Sequence, residues 1–273
     1  MFQYLKLARV GNALITFLSV ECAGILSGVN IAKNGDILAA SIAAALITAG
    51  GNAVNDVFDV DIDRINRPRR PIASGRISSA KAQTFYLILT AAGLIISGFI
   101  SLPVFLIALV ASLLVFLYSF KLKRMVFLGN FVVAFLTGLT FIYGGMAVKD
   151  FRDVYPAAMF AFLTNLIREI IKDAEDVKGD KEIGVRTIAT QYDTGISSLL
   201  SILLTALLLV LVWGAYQMQI LPIQFLTVCG LTIFPIGVYI IYLLISRKSF
   251  SEASFGYKLM MIFGLVALIV GKI

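Results

Sequence analysis

Long uncharged stretches decide what this chain can become. Its 23 Lys and Arg and 16 Asp and Glu residues cluster, and 59% of its 273 residues are hydrophobic. The clustering leaves nine apolar stretches, roughly 10–29, 37–55, 84–101, 103–119, 126–148, 154–172, 196–216, 220–245 and 255–271. A bilayer span takes roughly 20 such residues. In lipid every backbone N–H and C=O must be satisfied within the segment, so spans of this kind are helices. The pattern predicts an all-α integral membrane protein with nine transmembrane helices and a single domain over 1–273. Nothing in Met1–Arg9 reads as a cleavable signal, so the first span is expected to stay as structure.

Two absences narrow the chemistry. The chain has no histidine, which removes His-based triads and His-ligated zinc or haem. Its two cysteines, Cys22 and Cys229, lie inside apolar stretches, which argues against a disulfide framework or a thiolate metal cage. The net charge of +7 sits in the connections between spans, so it reads as topology and headgroup contact, with no nucleic-acid partner expected.

Lys and Arg set the orientation. With a cytoplasmic N-terminus, 18 of the 23 fall inside: Lys6 and Arg9, six between Arg64 and Lys81, Lys121 to Arg124, five between Arg168 and Arg186, and Arg247 with Lys248. The positive-inside rule therefore places the N-terminus, and the long charged loops 56–83 and 173–195, on the cytoplasmic side of the cell membrane.

Those loops begin with matched acidic motifs. Asp56, Asp59 and Asp63 repeat the spacing of Asp173, Asp176 and Asp180, each set at the end of a span. At about 100° per residue each set covers an arc of roughly 60° on a helix. Asn52 and Glu169 stand four residues earlier on the same arcs, while Asp61 and Glu175 fall off them and are expected to face elsewhere. Three carboxylates on one face repel each other and call for a cation. Hard carboxylate oxygens suit Mg2+, which completes its shell with water and substrate phosphate. Two such faces opposed across a cavity would hold Mg2+ against a diphosphate. The segment Arg67-Pro68-Arg69-Arg70-Pro71 follows the first motif, its prolines stiffening a loop of phosphate-binding guanidiniums. Lys121, Lys123 and Arg124 end the fourth span on the same side. A self-neutralising ion-pair network is the alternative, and the duplicated spacing counts against it.

Other polar residues are open to two readings. Arg9 and Asn12 stand at the mouth of the first span, placed either to touch substrate or to cap and snorkel. Tyr118 either presents its ring to a cation and its hydroxyl to phosphate, or belongs to an interface belt. Glu21, within the first span, is a functional candidate or a locally paired acid. Gly50-Gly51 and Gly144-Gly145 are expected to let helices approach closely.

At its motifs the sequence resembles the UbiA superfamily of intramembrane prenyltransferases. The family's Asn-Asp-x2-Asp-x3-Asp signature is matched by Asn55, Asp56, Asp59 and Asp63, and its second by Asp176 and Asp180 with Asp173 upstream. Its Arg-Pro-x-x-Ser-Gly element is matched by Arg70, Pro71, Ser74 and Gly75, and its early Arg-x-x-Asn by Arg9 and Asn12. The family's Tyr-x3-Lys is not kept: Tyr118 is followed by Lys121 and Lys123, with Leu122 at the lysine position.

The resemblance implies a helical bundle around a central, laterally open cavity. It implies Mg2+ held by Asn55, Asp56, Asp59, Asp63, Asp173, Asp176 and Asp180, with Asn55, Asp56, Asp59, Asp176 and Asp180 catalytic. It assigns substrate contacts to Arg9, Asn12, Asn52, Arg67, Arg70, Tyr118, Lys121 and Lys123. The implied partners are a prenyl diphosphate donor, a lipid-phosphate acceptor and membrane lipids. The compact length and the runs Gly51–Ser78 and Arg168–Ala189 are most similar to members that transfer a geranylgeranyl group to the glycerol hydroxyl of geranylgeranylglyceryl phosphate, in archaeal ether-lipid synthesis. Members with a quinone, chlorin or haem precursor as acceptor are the second reading. From another class, a polytopic transporter is expected to carry acids at mid-membrane and inverted repeats. Here the acids stand at span ends, and the two motif-bearing spans run in one direction.

Overall fold

The computed structural model describes residues 2–150, 154–182, 184–246 and 249–272, and among these every regular element is helical. The helices gather into two compact units. The first comprises Met1–Leu122 with Leu139–Val154, and the second Lys123–Gly138 with Tyr155–Ile273.

The first unit holds α1 (Phe2–Ala8), α2 (Val10–Leu26), α3 (Gly35–Phe58), α4 (Val60–Asn66), α5 (Ser79–Ile100), α6 (Leu102–Phe120) and the second half of α7 (Leu128–Ala147). Polar caps start the long helices. The Asn34 side chain accepts from the Asp36 and Ile37 amides, Ser78 from Lys81 and Ser101 from Val104, satisfying N–H groups that a first turn leaves open. Helix α3 is central and packs on α1, α2, α5 and α6. The core against it is Val20, Ile37, Ile47, Val104 and Tyr143, with the Tyr143 and Ser97 hydroxyls paired at 2.8 Å.

Missing side chains set the α3–α5 distance. A Cβ at Gly93 would lie 2.8 Å from the Ala43 carbonyl oxygen and 2.6 Å from the Ile47 side chain, and one at Gly50 would lie 2.8 Å from the Thr90 hydroxyl. Backbone oxygen cannot move aside as a flexible side chain can. Gly93→Ala is therefore expected to push α3 and α5 apart and cost about 1–3 kcal/mol, read as a lowered melting temperature in detergent. A Cβ at Gly144 would lie 3.0 Å from the Val20 carbonyl oxygen, the same close approach that the Gly-Gly pairs predicted.

The second unit holds the first half of α7 with α8 (Tyr155–Glu175), α9 (Val177–Glu182), α10 (Ile188–Gln191), α11 (Thr194–Gln217), α12 (Ile223–Leu231), α13 (Ile233–Ile245) and α14 (Phe250–Lys272). Helix α8 packs on α11 and α14, burying Ile167, Ile170 and Ile171. The Thr205 hydroxyl bonds that of Tyr257, which satisfies the polar tip of a fully buried ring. Cys22 and Cys229 are buried and unbridged.

The chain is a multi-pass membrane protein, but a count of nine spans is not confirmed. Among the described residues seven helices are long and apolar enough to cross a bilayer, or eight if α1 and α2, bent by 54°, form one span. The expected span 154–172 is the exception. Helix α8 is long enough, but the stretch from Tyr155 to Lys172 already contains Arg168, Glu169 and Lys172. Its charged last turns dilute its apolarity. Helix α5 leaves Leu87, Ile88, Ile95 and Phe99 exposed, an apolar face suited to lipid. The predicted loops are partly helical. Helix α4 lies within 56–83, α9 and α10 within 173–195, and α3 and α8 run on to Phe58 and Glu175.

Candidate active site

Both acidic motifs are built the same way. Asp56 lies in the last turn of α3, Asp59 caps it, and Asp63 lies in α4. Asp173 lies in the last turn of α8, Asp176 in the break that follows, and Asp180 in α9. Helical hydrogen bonding carries through each break: Asp59 N–H to Asn55 O at 3.0 Å and Asp63 to Asp59 at 2.7 Å, then Asp176 to Lys172 at 2.9 Å and Asp180 to Asp176 at 3.1 Å. The i→i−4 bonding pattern thereby continues across both breaks.

In the first motif Asp56 and Asp63 are buried, with 2% and 5% of their surface exposed. Two guanidiniums answer them. Arg9 donates to Asp56 Oδ1 at 2.5 Å, and Arg70 Nη1 donates to Asp56 Oδ1 at 3.2 Å and to Asp63 Oδ2 at 2.5 Å. Burial raises the Asp63 carboxyl above its ordinary range, Arg70 opposes the rise, and Asp56 and Asp59 add to it. Asn55 Nδ2 donates to Asp59 Oδ2 at 3.0 Å, and Asn55 Oδ1 is buried with no hydrogen-bond partner. An orphaned buried acceptor beside three carboxylates is a hard-oxygen set that fits Mg2+. Among the described residues no three acidic side chains converge as a formed metal cage; Arg70 joins two of them instead. Asp61 pairs with Arg64 at 3.0 Å on the exposed side, as its position off the arc predicted.

A backbone break positions Arg9. It takes the left-handed conformation (φ 48°, ψ 60°) between α1 and α2, which costs an ordinary residue roughly 1–2 kcal/mol. Asn52 Nδ2 donates to the Ala8 carbonyl at 3.0 Å, and Leu7 is fully buried against Ala53, Ile72 and Ile77. Asn52, expected at the substrate, thus serves as a brace of this bend. The loop after α4 closes through Arg70 N–H to Arg67 O at 3.0 Å and Ile77 N–H to Pro71 O at 3.1 Å. A pocket of about 440 Å3 results, lined by Lys6, Arg9, Asp56, Arg67, Pro68, Arg69, Arg70 and Pro71.

In the second motif Asn130 Nδ2, from α7, donates to Asp173 Oδ2 at 2.8 Å. Burial pushes the Asp173 carboxyl up to about 7, against Asn130 and Lys172 and with help from Glu169 and Asp180. Glu169 is buried and paired with Arg168 at 2.7 Å and Lys172 at 3.6 Å. Asp176 and Glu175 are exposed, and Asp180 is half-buried.

Asn12 is exposed in the first turn of α2, Tyr118 is half-buried near the end of α6, Lys121 caps that helix, and Lys123 lies in the 3-10 turn Leu122–Arg124. Sequence reasoning missed Asn130. Its signal was an amide in the first turn of an otherwise apolar span.

The model of the UbiA prenyltransferase family matches residues 14–265. Digeranylgeranylglyceryl phosphate synthase of Methanosphaera stadtmanae is 34% identical over 276 residues, covering 100% of both chains. A solved structure of digeranylgeranylglyceryl phosphate synthase superposes with a TM-score of 0.80 at 32% identity, covering 99% of this chain and 97% of that one. A UbiA homolog from Archaeoglobus fulgidus bound to GPP and Mg2+ shares the fold, with a TM-score of 0.68 at 18% identity over 97% of this chain and 99% of that one. The chain belongs to the UbiA prenyltransferase family.

Proposed function

We propose that this protein transfers a geranylgeranyl group from geranylgeranyl diphosphate to the glycerol hydroxyl of geranylgeranylglyceryl phosphate. The observation that carries the reading is the duplicated aspartate geometry at two helix ends, one copy of it answered by arginines from α3's own neighbours. The full-length likeness to digeranylgeranylglyceryl phosphate synthases supports the choice of acceptor. We place both motifs and the N-terminus on the cytoplasmic side, on the Lys and Arg distribution.

In this reading Asn55, Asp56, Asp59 and Asp63, and Asp173, Asp176 and Asp180, would hold Mg2+. The ion, when bound, supplies positive charge to the diphosphate as the allylic C–O bond breaks. The chain's own residues do the rest. Arg70, which bonds both Asp56 and Asp63, turns one N–H toward the departing diphosphate. Arg67, Tyr118, Lys121 and Lys123 complete the donor contacts. Arg9 and Asn12 line the mouth of α2, and Asn52 holds Arg9 in place through Ala8. Apolar walls keep water from the allylic cation until the acceptor hydroxyl captures it. With no histidine in the chain, a carboxylate or the diphosphate itself takes the proton.

Asn130 fixes the orientation of Asp173, so it is a positioning residue for the metal. Asn130→Ala is expected to raise the Mg2+ concentration for half-maximal activity by about 10-fold or more, measured by titrating Mg2+ at saturating substrates.

The test of acceptor class uses purified protein in detergent, labelled geranylgeranyl diphosphate and a panel of acceptors. Product is expected with geranylgeranylglyceryl phosphate. Reaction with a hydroxybenzoate while the glyceryl phosphate stays inert assigns the protein to the aromatic-acceptor branch.

A further inference from the structure

The two acidic motifs match at their aspartates and diverge beside them. One and four residues before Asp56 stand Asn55 and Asn52. Asn55 Oδ1 is buried without a hydrogen-bond partner, and Asn52 braces the Arg9 turn. The same two places before Asp173 hold Lys172 and Glu169. Where the first motif has two amides, the second has an ammonium and a carboxylate.

Glu169 is built as a holder. Its side chain keeps 11% exposure, and each of its oxygens faces a cation. Oε1 accepts from Arg168 at 2.7 Å, and Oε2 lies 3.6 Å from Lys172 Nζ. A buried carboxylate requires a hydrogen-bonded partner, and Arg168 meets that requirement. Lys172 is held differently. Its ammonium stands beyond hydrogen-bond range of Glu169, makes no hydrogen bond among the described residues, and keeps 37% of its side chain exposed. Its three donors are therefore available to an oxygen arriving from outside.

The helix aims that ammonium. Around α8, Glu169 stands about 40° from Asp173 and Lys172 about 100°. Glu169 is thus a neighbour of Asp173 one turn earlier. Its attraction draws Lys172 Nζ off its own face and toward the arc of the aspartates. The ammonium is near enough to Asp173 to oppose the rise in its carboxyl. An exposed ion pair on a helix would impose little such restraint. Here the carboxylate is buried, and Arg168 fixes its other oxygen.

Within the reading above, on which this inference rests, we propose that Lys172 binds an oxygen of the donor's diphosphate, with Glu169 as its positioning residue. The second motif then brings a cation of its own to the phosphate as well as carboxylates for the metal. A lysine ammonium is a compact charge with three rotatable donors, so it can follow the diphosphate as it departs. Arg70, tied to two aspartates, is more closely constrained.

The test compares wild type, Lys172→Ala, Lys172→Arg, Glu169→Gln and the double variant Lys172→Ala/Glu169→Gln in detergent, with parallel melts. Binding of an unreactive thiolo analogue of geranylgeranyl diphosphate at saturating Mg2+ reads the site without turnover. Lys172→Ala is expected to weaken analogue binding and raise the donor KM by about tenfold, with the acceptor KM unmoved. Lys172→Arg should recover part of the loss. Glu169→Gln should weaken binding in the wild-type background and add little in Lys172→Ala, because it acts through the lysine. Lys172 is partly exposed, so the fold tolerates its substitution, and the assignment stands or falls on its variants alone. Analogue binding that is unchanged in Lys172→Ala overturns it, as does a rise in the acceptor KM in place of the donor KM. A higher Mg2+ requirement as the only change in Lys172→Ala makes the lysine a support for Asp173 and overturns it too. Equal losses from Glu169→Gln in both backgrounds overturn the positioning role. A wild type that does not bind the analogue at all overturns the prenyl-diphosphate reading itself, a result distinguishable from the others.

Discussion

Replacing Asp176 with alanine is expected to lower prenyl transfer by about 10²-fold or more while leaving the melting temperature nearly unchanged. Asp176 sits in the break between α8 and α9 and is exposed. The backbone N–H that carries the helix through the break donates to Lys172 O and survives the substitution. Exposed substitutions of this kind usually shift stability by no more than about 0.5 kcal/mol. The split between activity and stability is what separates a metal ligand from a member of a structural ion-pair network. A network member at the surface contributes little to either quantity. A charge aimed at a metal–diphosphate contributes to one alone. Parallel thermal melts and turnover measurements on Asp176→Ala decide between them.

The second large effect is at Asp56, where the two quantities are expected to move together. Asp56→Asn keeps the shape and removes the charge. Arg9 loses its carboxylate partner, whereas Arg70 keeps Asp63. A fully buried pair broken from one side costs about 3–5 kcal/mol. The Arg9 side chain retains 31% exposure, so the loss should be smaller. Transfer should fall by about 10²–10³-fold, the scale for removing one preorganised electrostatic group. Turnover close to wild type in Asp56→Asn would remove the first motif from the chemistry, whatever happened to the melt.

The pair of predictions follows from a difference the sequence does not display. By spacing, Asp56 matches Asp173 and Asp59 matches Asp176, so the two sets read alike, acids at helix ends on a shared periodicity. That periodicity is local, so it could be read directly, and the structure places both sets across matching helix breaks. Their environments depend on contacts far apart in the chain. Arg9 reaches Asp56 across 47 positions, and Asn130 reaches Asp173 across 43. Nothing in Leu7-Ala8-Arg9-Val10 announces a left-handed turn; the glycine that would tolerate it stands two residues later, at Gly11. The turn is held by Asn52 and by burial of Leu7, neither of which is local. The apolar spans were legible for the opposite reason, since lipid imposes its demand on each segment separately. Helix α8 escaped that rule because its last turns carry the acidic motif and its cations.

The same contrast explains the uneven detail in the site. Asn55 belongs to a local signature readable along the chain, and the structure leaves its Oδ1 buried without a hydrogen-bond partner while its Nδ2 donates to Asp59. Lys6 was read only for topology, because its place on the pocket wall exists only once α1 bends back on α3.

The most direct test is metal binding itself. Mn2+ binding to the purified protein, followed by EPR with an unreactive thiolo analogue of geranylgeranyl diphosphate, reads the acidic motifs without turnover. Binding is predicted to tighten when the analogue is present and to be lost in both Asp56→Asn and Asp176→Ala. Mn2+ binding that is indifferent to the analogue and intact in both variants would contradict the account.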